Sequence, residues 1–208
     1  MEINNDIISK TVESLRKNRI SSQYIDSGLN IFSAIDTFIS PGMTIGVGDS
    51  ETLKQLKIYD YIKSLKVTYL DKYESSLSKE EKRNIYIKNF SSDLFISGIN
   101  ALTVDGKIYN LDGNGSRVAS IIYGPKKVIL ICGINKIVKS DIEAYERIRT
   151  KAAPVDAKRL NKKTPCVVTG NCMDCHSPDK ICNYYTIING QFDEKRINVL
   201  IVNGEYGY

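Results

Sequence analysis

The stretch from Ser97 to Cys132 constrains the fold more than any other part of this chain. A short apolar strand, Leu94 to Gly98, runs into a polar turn from Asn100 to Thr103. A two-stranded ribbon follows, reversing at Val104-Asp105-Gly106-Lys107. Asp-Gly is a hairpin signal because both central residues tolerate positive φ. Past Tyr109-Asn110 comes a glycine turn, Asp112-Gly113-Asn114-Gly115-Ser116, which opens a helix from Arg117 to Tyr123. Gly124-Pro125 ends the helix, and a second apolar strand runs from Lys127 to Cys132. A strand end, a hairpin and a helix N-terminus thus fall within about 30 residues, the size of one βαβ unit. Ligands of open α/β sheets bind at the carboxyl ends of strands and at helix N-termini.

The flanking segments alternate in the way such a unit needs. Residues 5 to 17 have Ile7, Ile8, Thr11, Val12 and Leu15 at helical spacing, with Lys10, Glu13, Arg16 and Lys17 opposite. Ser21 to Ile25 reads as a short strand, and Leu29 to Ile39 as a helix stopped by Pro41-Gly42. Met43 to Val47 is a strand whose turn, Gly48-Asp49-Ser50-Glu51-Thr52, leads into a helix reaching about Leu56. Lys66 to Leu70 is the next strand, and Ser78 with Glu81 forms a capping box for a helix ending near Phe90. Ile142 to Ala152 is helical, extending past Pro154 toward Leu160, and Arg196 to Val202 is a β-type run before the tail Glu205-Tyr206-Gly207-Tyr208. Alternating strands and helices predict a Rossmann-like α/β fold: a mostly parallel sheet with helices on both faces. The 208 residues, 42% of them hydrophobic, suit a single domain with a full core. Residues 161 to 183 stand apart as a Cys-rich C-terminal segment within it, polar and without hydrophobic periodicity.

Composition excludes several classes. The longest apolar runs, Val128 to Cys132 and Ile197 to Val202, are too short to span a bilayer. The N-terminal MEINNDIISK has no apolar run of signal-peptide length, so a cytoplasmic protein is expected. The net charge of +5 is spread along the chain, and no basic run carries interleaved aromatics, which argues against nucleic acid as a partner. Cys132 ends a buried-type strand and reads as a small core residue. The other four cysteines lie close together, and in a chain expected to stay inside the cell such clusters serve metals or redox chemistry more readily than disulfides.

Three groups of residues carry possible chemistry. The turn containing Gly46, Gly48, Asp49, Ser50 and Thr52 joins a strand to a helix and resembles an anion cradle, although Asp49 or Ser50 as a simple helix cap is the better explanation by itself. Asn110, Asp112, Gly113, Asn114 and Arg117 crowd the second turn, where Asp112-Gly113 and Asn114-Gly115 also suit positive φ as plain turn chemistry. An arginine in the first turn of a helix opposes the helix dipole unless an anion sits there. Lys136, just past the strand ending at Cys132, is a further candidate contact for an anionic ligand, although a solvated surface lysine is the commoner outcome at such a place. Cys166, Cys172, Cys175 and Cys182 form C-x5-C-x2-C-x6-C, which has the bite of a tetrathiolate site for zinc or an iron–sulfur cluster. His176 is the only histidine, which leaves no Ser-His-Asp triad unless the Cys-rich segment folds over the site.

The segments TIGVGDSETLKQL, SGINALTVDGKIYNLDGNGSRVA, YGPKKVILICGINKIV, AAPVDAKRL and TPCVVTGNCMDCHSPDKIC together resemble the lactate-utilisation (LUD) domain family. The resemblance runs from the first helix to the closing INVLIVNGEYGY. It implies an accessory protein of bacterial L-lactate oxidation that acts with iron–sulfur partners; a sugar-phosphate isomerase or CoA-transferase-like enzyme, and a non-catalytic interaction module, are the alternatives. It also implies kinship in fold with ribose-5-phosphate isomerase and CoA transferases, with the ligand over Gly46 to Thr52 and Gly113 to Arg117. The isomerases resemble this chain around Ser97-Gly98-Ile99-Asn100 but carry an aspartate where Asn100 stands. An amide cannot shuttle a proton, so the isomerase base is missing, while Asn100 remains able to hydrogen-bond a ligand.

Overall fold

The computed structural model describes residues 3–208. Its strands are β1 (Ser21–Ile25), β2 (Thr44–Val47), β3 (Thr68–Tyr69), β4 (Leu94–Gly98), β5 (Ala101–Thr103), β6 (Ile108–Asp112), β7 (Lys127–Gly133), β8 (Ile137–Val138), β9 (Tyr184–Ile188) and β10 (Ile197–Val202). Its α-helices are α1 (Asn5–Lys17), α2 (Ile31–Asp36), α3 (Glu51–Gln55), α4 (Ile58–Ser64), α5 (Lys79–Lys88), α6 (Ser116–Ile122), α7 (Asp141–Arg147), α8 (Ala153–Arg159) and α9 (Pro165–Thr169).

Six strands form one parallel sheet in the order β1-β10-β7-β4-β2-β3. Alternation along these strands separates two apolar layers. Ile129 and Ile131 of β7, Leu94 and Ile96 of β4, and Leu200 and Val202 of β10 face α2, α3 and α4. Val128, Leu130 and Cys132, Phe95, and Val199 and Ile201 face the other way, toward Ile8 and Leu15 of α1 and Ile121 of α6. Each such side chain contributes about 1.5–3 kcal/mol on burial, so a one-residue slip of any central strand is strongly disfavoured.

The chain runs from β2 outward to β3, then crosses back to place β4 on the other side of β2. That reversal opens a crevice between the carboxyl ends of β2 and β4, where doubly wound sheets bind ligands.

The hairpin grows into a second sheet, β8-β5-β6-β9, with β5 and β6 antiparallel and β9 antiparallel to β6. Ile99, Leu102, Ile108 and Ile137 pack into the same apolar layer as Val128 and Leu130. The residues read as a polar turn at Asn100–Thr103 therefore include a strand. Only Gly106 of the hairpin turn has positive φ, at 84°. Gly106 N donates to Thr103 O and Thr103 N to Lys107 O, so the reversal is a three-residue loop closed by one glycine. β9 escapes a sequence reading because Tyr184, Tyr185 and Ile187 are exposed and only its pairing with β6 makes it a strand.

Other boundaries shift modestly. The helix expected from Leu29 to Ile39 is a 3-10 turn, Gly28–Asn30, followed by the short α2, and Leu29 is 85% exposed. The Ser78–Glu81 capping box is present. The Asp141–Arg159 region is continuous, with a π-helical turn at Ile148–Ala152 just before Pro154. A proline has no N–H for the i−4 carbonyl and its ring crowds that group; a π turn relieves both.

Candidate functional site

A cavity of about 380 Å³ opens at the carboxyl edge of the parallel sheet. It is bounded by the β2–α3 turn, Lys72 three residues past β3, the β4–β5 link, the β6–α6 turn, Lys136 and α8. The Cys-rich segment and the C-terminal tail complete the wall through Lys162, Lys180, Ile181 and Tyr208.

Close approach of two loops builds the floor. A Cβ on Gly98 would overlap Ser50 Oγ, and one on Gly48 would meet the Arg117 side chain at 3.0 Å. Ser50 caps α3 by accepting from Leu53 N, and Ser50 N itself donates to Tyr59 OH at 3.0 Å. Gly48 N donates to Ile96 O. Capping thus describes the Gly46–Thr52 turn better than an anion cradle does, because several of its N–H groups are already spent. Gly46 lies in the sheet, where a Cβ would meet Asn89 and Phe95, away from the cavity.

The second turn is also internally satisfied. The Asp112 carboxylate accepts from Gly113 N, Arg117 N and Val118 N, and Asn114 Oδ1 accepts from Ser116 N. Arg117 spreads its guanidinium over Gly98 O, Asn110 Oδ1, Asn100 Oδ1 and Leu111 O at 2.7–3.1 Å. It locks the hairpin to the helix, which removes the dipole penalty without any anion. Asn100 Oδ1 additionally accepts from Leu111 N, which leaves its amide N–H groups without a partner among the described residues. Arg147 of α7 fixes the backbone of this floor by donating to Asn100 O at 2.7 Å and to Asn135 O. Burial lowers its pKa to about 10.

Two lysines dominate the electrostatics. Lys136 is 4% exposed, and its Nζ donates to Thr52 Oγ1 and Ile99 O, both at 2.9 Å. Burial, reinforced by Arg147, holds its pKa down to about 7. Lys72 is 9% exposed and has no hydrogen-bond acceptor among the described residues; its Nζ lies 5.2 Å from the Tyr73 ring centre and 5.8 Å from that of Tyr86. Burial pulls its pKa to about 8, against the attraction of Asp49. Asp49 accepts from Tyr73 OH at 2.9 Å and from Arg159 at 2.8 Å. Burial works to raise the Asp49 pKa, but Arg159, Lys72 and Tyr73 outweigh it and hold the carboxyl below its ordinary value.

Of the residues named from sequence, Asp49, Ser50, Asn100, Asp112, Gly113, Asn114, Arg117 and Lys136 share this cavity. Thr52 and Asn110 stand one step behind it, bonded to Lys136 and Arg117. Gly48 shapes it without lining it, and Gly46 takes no part in it. Sequence reasoning missed Lys72, Glu51, Tyr86, Arg159 and Tyr208. Lys72 was within reach, because it closely follows the strand expected at Lys66–Leu70 and strand carboxyl ends carry ligands. Nothing local marks Arg159, which arrives only through the docking of α8.

The Cys-rich segment departs from expectation. Among the described residues, no group of three or more His, Cys, Asp or Glu side chains is arranged to hold a metal ion. Cys166, Cys172, Cys175 and Cys182 are free and half-buried, near enough to influence one another's charge but not gathered as ligands. Cys166 Sγ contacts Thr164 Oγ1 at 3.2 Å, Cys172 lies beside Asp174, and Cys182 packs under α7 and β6. Polar bonds order the segment instead. Arg149 pairs with Asp174, Cys172 N donates to Arg149 O, and Asp179 takes Lys162 Nζ and Lys163 N. Asn183 ties the segment to the second turn through Asp112 O and Gly113 O.

Known proteins place this geometry in a family. No curated protein matches the chain. Among solved structures, a DUF162 family protein from Deinococcus radiodurans is similar over 97% of this chain and 99% of its own, at 12% identity and a TM-score of 0.56. Weaker likenesses are to ribose 5-phosphate isomerase from Plasmodium falciparum, with 17% identity over 54% of this chain and 52% of that one and a TM-score of 0.33, and to eIF2B delta from Chaetomium thermophilum, with 17% identity over 67% and 55% and a TM-score of 0.36. The first establishes a shared fold. The profile of the LUD domain matches residues 8–202, which takes in both sheets, both turns and the Cys-rich segment. The chain therefore belongs to the LUD domain family, and at the level of that family it is a lactate-utilisation-type protein.

Proposed function

We propose that this protein binds a small anion in the cavity at the carboxyl edge of its parallel sheet, and that it does so in L-lactate oxidation alongside iron–sulfur partners. The observation that carries the ligand reading is Lys72. A lysine this deeply buried normally has a carboxylate or carbonyl on its ammonium. Lys72 has two aromatic rings instead, on the wall of a cavity, so its hydrogen-bonding capacity points to a guest. The free amide N–H groups of Asn100 supply neutral donors on the same wall. Six basic side chains line the cavity against four acidic ones, and Asp112 and Asp49 are already engaged by the protein. The partner half of the reading, and a cytoplasmic location with it, is extended from family membership. Zinc or an iron–sulfur cluster enters this reading only as a loaded state in which the four thiols of the Cys-rich segment have been drawn together.

Calorimetric titration with L-lactate, and separately with inorganic phosphate, tests the ligand. Saturable binding of either is expected. Lys72→Met should weaken it about ten- to hundredfold, the value of one charge-assisted hydrogen bond of about 1.5–3 kcal/mol. Equal affinity in the variant, or no binding of either anion, overturns the reading.

A further inference from the structure

We propose that Lys136 is a nucleophilic amine that condenses with the carbonyl carbon of a small anionic aldehyde or ketone held in the cavity. The inference rests on the anion reading above, with Lys72 holding the charged end of the substrate.

The hydrogen-bond inventory around Lys136 carries the argument. Its Nζ meets two acceptors, Ile99 O and Thr52 Oγ1. The Thr52 hydroxyl donates its own hydrogen to Tyr206 O at 3.1 Å, so toward Lys136 it can only accept. A neutral amine has two N–H groups and one lone pair. Two protein acceptors take both hydrogens and leave the lone pair unspent at the wall of a cavity. An ammonium would need a third acceptor, and none exists among the described residues. Among the described residues, no carboxylate pairs with Lys136. The charges it feels are those of Arg147, Arg117 and Lys151, all of them positive. Desolvation beside other cations is the arrangement that makes a lysine amine nucleophilic near neutrality. A lysine serving only to bridge two loops would be better placed as an ammonium with a carboxylate beside it.

The reaction balances without any oxidant or reductant. The Nζ lone pair adds to the carbonyl carbon, and the C=O π pair moves to oxygen. A proton passes from nitrogen to that oxygen and gives a carbinolamine. Departure of the hydroxyl with the remaining nitrogen proton releases one water and leaves the imine. The cavity is at the small end of ligand sites, which fits a substrate of a few carbons bearing a carboxylate or a phosphate.

Reductive trapping tests this. The protein is incubated with sodium cyanoborohydride and either glyoxylate, a carboxylated aldehyde, or glycolaldehyde phosphate, a phosphorylated one, and the modified peptide is mapped by mass spectrometry. A reduced adduct on Lys136 with either probe is expected, and the more reactive probe identifies the anion class. Inorganic phosphate should protect Lys136 in the wild-type protein, which keeps the test independent of any variant's folding. Lys136→Arg preserves donors to Thr52 and Ile99 but should abolish the adduct. Lys72→Met should slow labelling of Lys136 about tenfold at low probe concentration. An unmodified Lys136 in protein that still binds the anions by calorimetry overturns the imine and leaves the anion site standing. Absence of both labelling and binding overturns both. Label spread evenly over surface lysines overturns the special role of Lys136.

Discussion

Lys136 Nζ donates to Thr52 Oγ1 at 2.9 Å across 84 residues of chain, joining the loop after β7 to the helix after β2. Because the Thr52 hydroxyl passes on to Tyr206 O, one buried side chain ties three carboxyl-edge segments together. Thr52→Val keeps the shape and removes both bonds. A loss of about 1–3 kcal/mol in urea denaturation is expected, since Lys136 and the Tyr206 carbonyl each lose a partner. Unchanged stability would mean that the bridge is incidental.

Both buried lysines make stability depend on pH in a defined direction. Their folded pKa values, about 8 for Lys72 and about 7 for Lys136, lie below the ordinary 10.5. The unfolded chain therefore binds more protons across this window, and stability rises with pH from about 7 toward 10.5. The burial penalty is fully present below the folded values. Lys72→Met should flatten the upper part of this slope in thermal melts taken from pH 6 to 10, a range chosen to span roughly both values. A wild-type slope of the opposite sign would contradict the burial of both amines.

Anion affinity should move the other way. Lys72 must be an ammonium to hold an anion, and it loses its proton as pH rises through about 8. Asp49 and Asp112 favour its charge, while Arg117 and Arg159 oppose it. Affinity is expected to fall above that pH, with proton uptake on binding detectable by calorimetry in buffers of different ionisation enthalpy. Affinity independent of pH across this range would remove Lys72 from the site.

Gly207 lets the tail close on the site. Its φ is +65°, and a Cβ there would stand 2.5 Å from Thr52 Oγ1 and 3.1 Å from Lys136 Nζ. Gly207→Ala should cost about 1–3 kcal/mol through this strain and crowding, and weaken anion binding because the tail carries Tyr208 into the wall. Wild-type stability together with wild-type affinity would show that the tail is free to lift away.

Thiol chemistry distinguishes the five cysteines. Cys132 is fully buried and its pKa is pushed up to about 12, so it should resist a thiol reagent in the folded state. Cys166, Cys172, Cys175 and Cys182 should react, each within the half-buried segment beside the cavity. Protein purified without oxygen in which these four are protected, and which carries zinc or iron by elemental analysis, would instead show the segment closed around a metal.

Periodicity alone determined the parallel sheet. The near-continuous apolar runs Val128 to Cys132 and Ile197 to Val202, separated from other strands by amphipathic and capped helices, leave few other ways to bury so much apolar surface. The turns after β2 and β6 were legible for the same local reason, because glycines and capping side chains must follow strands that feed helices. What those side chains do was decided by tertiary structure. Arg117 reads as an anion ligand until four oxygens from Gly98, Asn100, Asn110 and Leu111 surround it, and those oxygens come together only when the hairpin folds. The cysteines share a sequence spacing, but in the fold Cys166 contacts Thr164, Cys172 lies beside Asp174 and Cys182 packs in the apolar layer under α7. Lys72 and Arg159 carry no local mark. A lone lysine after a strand looks like solvated surface until Tyr73 and Tyr86 close over it, and Arg159 meets Asp49 across 110 residues only because the π turn and Pro154 set the course of α8. Local pattern fixes which backbone forms where, whereas burial and charge at a site depend on atoms that distant segments bring to it.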